Sequence, residues 1–294
     1  MKKKPPGSAA ASAAQVGALA DRLGCLAKAP KTARGARAVQ EAERTPEGRA
    51  NRQASIMNFL RQRLAASPAA ARVVPFVLFA AVTVGQGKFG EASRYWFYFA
   101  KTIMGAWLIW LVRPLVPEMK WKFSWSAVVG GIGVFVMWVG IDGFYPPLDR
   151  LLGQVGLARA KSEAESVLAA WNPTAHYGRD SALAWMFVVA RAIGSSIVVP
   201  PLEEVFYRSF AYRYFIQAEF QSVSLGQFRW TSFLMTAALF GVAHQQWLAG
   251  ILCGFAYQAL VCWKKRLGDA MTAHAITNFL LALWVVWRGA WHFW

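Results

Sequence analysis

The stretch from Leu183 to Arg208 constrains this chain more than any other. The run Leu183 to Val199 is largely apolar. It passes directly into Pro200-Pro201-Leu202-Glu203-Glu204-Val205-Phe206-Tyr207-Arg208. Two adjacent carboxylates and an arginine therefore sit against hydrophobic sequence on both sides. An ionisable side chain at membrane depth costs about 2.5–3.5 kcal/mol on insertion scales, so its presence there marks a functional position that needs a partner. The sequence asks for a helical bundle that turns these groups inward.

Composition agrees. Of 294 residues, 56% are hydrophobic and only 16% charged, with 15 Trp and 20 Phe. Soluble domains carry about 25% charged residues, so the expected fold class is all-α, a polytopic membrane bundle. Basic residues outnumber acidic ones, 32 to 15. Residues 1–72 hold 14 basic and 4 acidic side chains. Such a tail suits anionic lipid or nucleic acid, but it equally marks a cytoplasmic terminus. The second reading is adopted, with a lipid bilayer as partner and no nucleic acid. Cys25, Cys253 and Cys262 form no paired framework and no zinc spacing.

Three regions are expected. Residues 1–68 form a basic, largely disordered tail, poor in aromatics, with a short amphipathic helix near 56–67. Residues 69–182 hold spans at about 69–85, 95–112 and 125–141, then a polar outside loop, within which 159–170 suits an amphipathic helix. Residues 183–294 form the core, with spans at 183–199, 231–247, 248–263 and 272–287. The total is seven or eight segments of roughly membrane-crossing length. Pro200-Pro201 is expected to break the fourth span, which is tolerated where backbone lines a cavity. The loop around Lys120 and the stretch Lys264-Lys265-Arg266 belong on the cytoplasmic side with the tail. The loop 142–181 belongs outside.

Two later stretches supply matching polar groups, Phe240-Gly241-Val242-Ala243-His244 and His274-Ala275-Ile276-Thr277-Asn278. Glu204 and Arg208 are four apart, share a helix face and pair. Glu203, one position off, stays free to act as a base. Phe240 and His244 share a face, as do His274 and Asn278. A Glu with a His can hold and deprotonate water. A His with an Asn amide can donate to a developing oxyanion. These are parts for amide hydrolysis without a covalent intermediate.

The three stretches resemble the motifs EExxxR, FxxxH and HxxxN of the CAAX protease and bacteriocin-processing family, the glutamic-type intramembrane endopeptidases. The resemblance covers about residues 183–288 and departs at no defining position. It implies that Glu203 and His244 activate water, that His274 and Asn278 stabilise the oxyanion, and that Glu204 and Arg208 support Glu203, with Phe240 as structural support. It implies no cofactor and no metal, and a membrane-associated peptide or protein as substrate. The Trp-rich C-terminus is also similar to a subgroup found beside bacterial exosortase systems. A bacterial inner membrane location with a cytoplasmic N-terminus is expected.

Alternatives remain open. A zinc-dependent membrane metalloprotease would use the same Glu and His residues as ligands from separate helices. A transporter or non-catalytic scaffold would also carry broken helices and buried charge. His274 and Asn278 can instead tie helices together. Arg191 is expected to pair with a carboxylate or reach the interface, with a substrate carboxylate as the other partner. His176 and His292 receive no role.

Overall fold

The computed structural model describes residues 45–157 and 170–294. The chain divides into two units, Met1–Leu60 and Arg61–Trp294. Of the helix expected at 159–170, residues 159–169 lie outside the described residues, as do residues 1–44 of the tail expected to be largely disordered; its described residues 46–55 are helical.

Among the described residues the structure is helical and contains no strand, as composition required. In chain order the helices are α1 (Pro46–Ala65), α2 (Pro68–Val84), α3 (Ser93–Val112), α4 (Trp125–Gly140), α5 (Leu148–Gln154), α6 (Pro173–Tyr177), α7 (Ala182–Ile216), α8 (Trp230–Val242), α9 (Trp247–Lys264) and α10 (Gly268–Arg288). Helix α1 is longer than the short segment expected at 56–67. Four helices are long and apolar enough to cross a membrane: α3 with its 3₁₀ extension to Leu115, α7, α9 and α10. Counting the bent pair around Ser67 as one span makes five, and α4 and α8 are shorter apolar helices.

Local chemistry explains the boundaries. Ser67, Ser124 and Ser181 cap α2, α4 and α7, each accepting from the N–H three residues on. Such caps satisfy donors that the first helical turn leaves open. Helix α10 ends at Gly289, held at φ 65°, which glycine adopts without a Cβ clash.

The surface is inverted relative to a soluble protein. Ile103, Trp110, Val129, Leu234, Val242 and Phe279 are exposed, while Lys101, Glu204, Arg208, Gln258 and Asp269 are buried. Exposed apolar side chains on every long helix are what lipid contact requires. Small residues then let helices approach. A Cβ on Gly131 of α4 would lie 2.6 Å from the Ala273 carbonyl oxygen of α10.

The fourth span departs from expectation in one respect. Pro200 and Pro201 do not split it, and α7 runs as one helix of 35 residues. Two π-helical stretches, Gly194–Val198 and Val205–Ala211, flank the prolines. A π-turn shifts the hydrogen-bond register by one residue, which lets a helix carry residues that cannot donate. The helix is thus irregular rather than broken.

Loop contacts define two ends of the bundle. At one end Thr272 Oγ1 donates to the Lys122 carbonyl at 2.9 Å, joining the loop before α4 to the start of α10. At the same end Arg72 binds Glu118 through Nε (2.8 Å) and Nη2 (3.0 Å), and Arg213 meets Glu118 at 3.2 Å. At the other end the Leu148 N–H donates to the Gln245 carbonyl at 2.8 Å, and His292 meets Asp142 at 2.8 Å. The loops around Lys120 and Lys264–Arg266 therefore share an end, and the loop following Asp142 lies at the opposite one.

Candidate active site

Glu203, His244, His274 and Asn278 all line one cavity of about 560 Å³. They come from α7, the C-terminal end of α8, and α10. The cavity extends to Gln246, Phe293 and Trp294, at the end where Asp142 and His292 meet.

Glu203 reaches the cavity, and its Oε2 is shielded from solvent with no hydrogen-bond partner. An unpartnered carboxylate oxygen in such a place is costly, and a bound water or substrate N–H would satisfy it. Its neighbour Glu204 does not line the cavity. It is fully buried behind it, with Oε2 3.2 Å from Arg208 Nε and Oε1 2.9 Å from His274 Nδ1. The i,i+4 ion pair read from sequence is present. Glu204, however, supports His274 rather than Glu203, so it acts on the site through another side chain.

Arg208 is also fully buried. Its guanidinium lies 4.4 Å over the Phe240 ring, which compensates for the scarcity of hydrogen-bond acceptors around it. Phe240 thus holds the cation and, through its carbonyl, His244. His244 Nδ1 lies 2.7 Å from the Phe240 carbonyl oxygen. A carbonyl only accepts, so Nδ1 carries the proton and Nε2 keeps a lone pair. The Trp138 ring meets the His244 imidazole edge to face at 5.7 Å.

His274 is fixed on two sides. Glu204 takes Nδ1, and the Tyr257 ring stacks on the imidazole at 5.1 Å. Tyr257 in turn donates to Thr277 Oγ1 at 2.7 Å, and Thr277 donates to the Gly131 carbonyl at 2.8 Å. Nothing in the local spacing of the motifs pointed to Tyr257 or Thr277.

Asn278 Nδ2 donates to the Ser195 carbonyl at 2.8 Å. The carbonyl is available because of the prolines. In this π-stretch the Val199 N–H bonds the Gly194 carbonyl, five residues back. The Ser195 carbonyl would then wait for the N–H of residue 200, which is proline and has none. The missing donor at Pro200 was the sequence signal for an orphaned acceptor one turn earlier.

Two cations share the cavity, Lys101 from α3 and Arg191 from α7. Arg191 forms no ion pair among the described residues, contrary to the carboxylate partner expected for it. Its guanidinium sits against the rings of Trp171 (4.5 Å), Tyr98 (4.6 Å) and Trp294 (5.4 Å). Among the described residues no three His, Cys, Asp or Glu side chains are grouped to hold a metal ion.

Residues 184–280 match the model of the family described as Type II CAAX prenyl endopeptidase Rce1-like. No curated protein and no solved structure matches the chain. The matched stretch contains all three motifs, including Glu203, Phe240, His244, His274 and Asn278 of the cavity wall. The exosortase-associated subgroup receives no support from these comparisons. Over residues 184–280 this membrane-embedded helical chain is similar to the Rce1-like CAAX prenyl endopeptidase family of proteases, the family its three motifs resemble.

Proposed function

We propose that the protein is an intramembrane endopeptidase that hydrolyses a peptide bond in a membrane-associated protein or peptide, without a metal. Glu203 takes a proton from a water as the water oxygen attacks the scissile carbonyl carbon. His244 accepts a hydrogen bond from the same water through Nε2 and holds it in line. The oxyanion that forms is met by His274 and Asn278. A protonated His274 donates Nδ1–H to Glu204 and Nε2–H to the oxyanion. Asn278 has a second amide N–H beyond the one given to Ser195. When the C–N bond breaks, the proton on Glu203 passes to the leaving nitrogen, giving a carboxylic acid and an amine.

The observation that carries this reading is the convergence of Glu203, His244, His274 and Asn278 on one cavity, with Glu204 and Arg208 buried behind it. The test is mass spectrometry of an N-acylated peptide incubated with the purified protein in lipid nanodiscs. Products whose masses sum to substrate plus one water are expected, and none with Glu203→Gln. Intact substrate with both proteins would overturn the reading.

A further inference from the structure

The end of the bundle where Lys122 meets α10 gathers lysines around one junction. A Cβ on Gly268, the first residue of α10, would stand 2.1 Å from the Lys120 carbonyl oxygen and 2.7 Å from the Lys122 nitrogen. Glycine therefore lets the loop before α4 come this close. Helix α9 ends at Lys264, and Lys265 turns the chain in the left-handed conformation at φ 56°. The Lys265 Cγ would lie 2.6 Å from a Cβ on Gly226, so the loop before α8 joins the same junction. Lys120, Lys122 and Lys265 are exposed, and the Lys264 ammonium lies 4.0 Å over the Trp263 ring.

Two carboxylates of this end already hold cations. Asp269 is buried and pairs with Arg266, and Glu118 is shared by Arg72 and Arg213. None of the four lysines forms an ion pair among the described residues. The opposite end differs. In the described part of its loop, Asp142, Asp149 and Asp180 stand against Arg150 and Arg179.

Large rings stand among the lysines. Phe123 is 74% exposed, Trp125 79%, Trp230 68% and Trp263 68%. Trp125 opens α4, Trp230 opens α8, and Trp263 lies in the last turn of α9. Rings at the ends of membrane helices sit at the level of the lipid headgroups. That depth places the neighbouring ammonium groups beside lipid phosphates, with their apolar stems lying along the acyl boundary. A phosphate free in solution would satisfy the lysines but leave the four rings in water.

We propose that Lys120, Lys122, Lys264 and Lys265 bind the phosphate of an anionic phospholipid, one without a headgroup cation, beside the α9–α10 turn. A choline headgroup sets its own cation against the lysines, and a glycerol headgroup does not. The bound lipid clamps the loop before α4 to the start of α10, the helix that carries His274 and Asn278. The catalytic cavity extends towards the opposite end, where His292 meets Asp142. The lipid is thus a ligand of the scaffold rather than a substrate, and its binding does not depend on the hydrolase reading.

The test uses the full chain in neutral detergent, titrated with dioleoyl phosphatidylglycerol or dioleoyl phosphatidylcholine, with bound lipid counted by native mass spectrometry. Phosphatidylglycerol should bind tighter. Each lysine near an anionic lipid surface is worth roughly fivefold in affinity. Lys120→Gln with Lys122→Gln should therefore weaken phosphatidylglycerol roughly 25-fold. Lys264→Gln with Lys265→Asn should do the same, asparagine tolerating the left-handed turn. Arg150→Gln with Arg179→Gln removes equal charge from the opposite end and should change nothing. Basic residues of the N-terminal tail contribute the same background to every variant. A photoactivatable phosphatidylglycerol should crosslink the unsubstituted protein within residues 120–125 and 263–268, a readout that stands even where a variant fails to fold.

Equal affinity for the two lipids overturns the proposal. So does an equal loss in the opposite-end variant, or crosslinking confined to other segments. Inorganic phosphate binding as tightly as the lipid, and lost in the same lysine variants, would assign the site to a free anion and overturn the lipid form. A single-stranded oligonucleotide binding tighter than phosphatidylglycerol, and lost in the same variants, would assign the surface to nucleic acid instead.

Discussion

The side-chain amide of Asn278 in α10 donates to the backbone carbonyl of Ser195 in α7, 83 residues earlier in the chain, at 2.8 Å. A catalytic-motif side chain is thereby aimed by a backbone acceptor that Pro200 leaves open. Asn278→Ala removes both the aim and the donor. Its turnover should fall about 10²–10³-fold, the usual cost of one oxyanion donor. Pro200→Ala supplies an N–H that competes for Ser195. It should lower turnover while raising the melting temperature, because proline in a helix interior costs about 3 kcal/mol. Steady-state rates and melting curves in detergent for the two variants check this. Unchanged turnover in Pro200→Ala would show that the Ser195 contact does not position the amide.

Glu203→Gln and His244→Ala should both fold and both fail to cleave. The first removes the base while keeping its shape. The second removes the Nε2 acceptor that the Phe240 carbonyl orients. Size-exclusion profiles alongside cleavage rates decide the matter, and near-normal cleavage by Glu203→Gln would sink the mechanism.

Arg208→Ala acts on stability as well as rate. It leaves Glu204 buried without its cation, and breaking a buried pair costs about 3–5 kcal/mol. A lower melting temperature and a lower yield are expected. Glu204→Gln should be milder in stability, since the amide still offers an oxygen to His274 Nδ1. Its rate should fall because a protonated His274 loses its counter-charge.

Glu118 gives a pH test outside the membrane spans. Burial raises its pKa, but the Ser209 hydroxyl and the Arg72 guanidinium outweigh burial and hold the carboxyl below its ordinary value near 4.5. A carboxyl depressed in the folded state contributes stability above the unfolded value. That contribution is lost as pH falls through the folded value. The protein should therefore lose melting temperature as pH drops below about 4.5. Glu118→Gln should start lower at neutral pH and show a shallower acid slope. Parallel slopes for the two proteins would remove Glu118 from the account.

A chelator should leave cleavage unchanged, because the proposed water activation uses a carboxylate and an imidazole only. The assay is turnover before and after dialysis against EDTA. Activity lost on chelation and restored by zinc alone would favour the metalloprotease alternative.

Topology can be labelled directly. Cysteines placed at Lys120 and Lys265 should react from one side of the membrane, and a cysteine at Asp142 from the other. The first two loops share an end of the bundle and Asp142 lies at the opposite end, and the positive-inside rule is the ground for expecting the first end to face the cytoplasm. Labelling of position 142 from the cytoplasmic side would reverse that orientation.

The sequence alone determined the membrane class, the helix bounds to within a few residues in most of the bundle, and the three motifs. It also determined relations inside one helix, such as Glu204 with Arg208 and Phe240 with His244, because a 3.6-residue period fixes which side chains share a face. Tertiary structure decided everything that crosses between helices. It gave Glu204 to His274, it brought Lys101 from outside the matched segment into the cavity, and it set Tyr257 against the His274 ring. It also decided that α7 continues through two prolines, since the donors they lack are compensated by π-turns and by an amide from another helix. Periodicity fixes the face of a helix, but not its rotation and depth against its neighbours. Those are set by close contacts such as Gly131 on Ala273, which pair residues far apart in sequence and leave no local pattern to read.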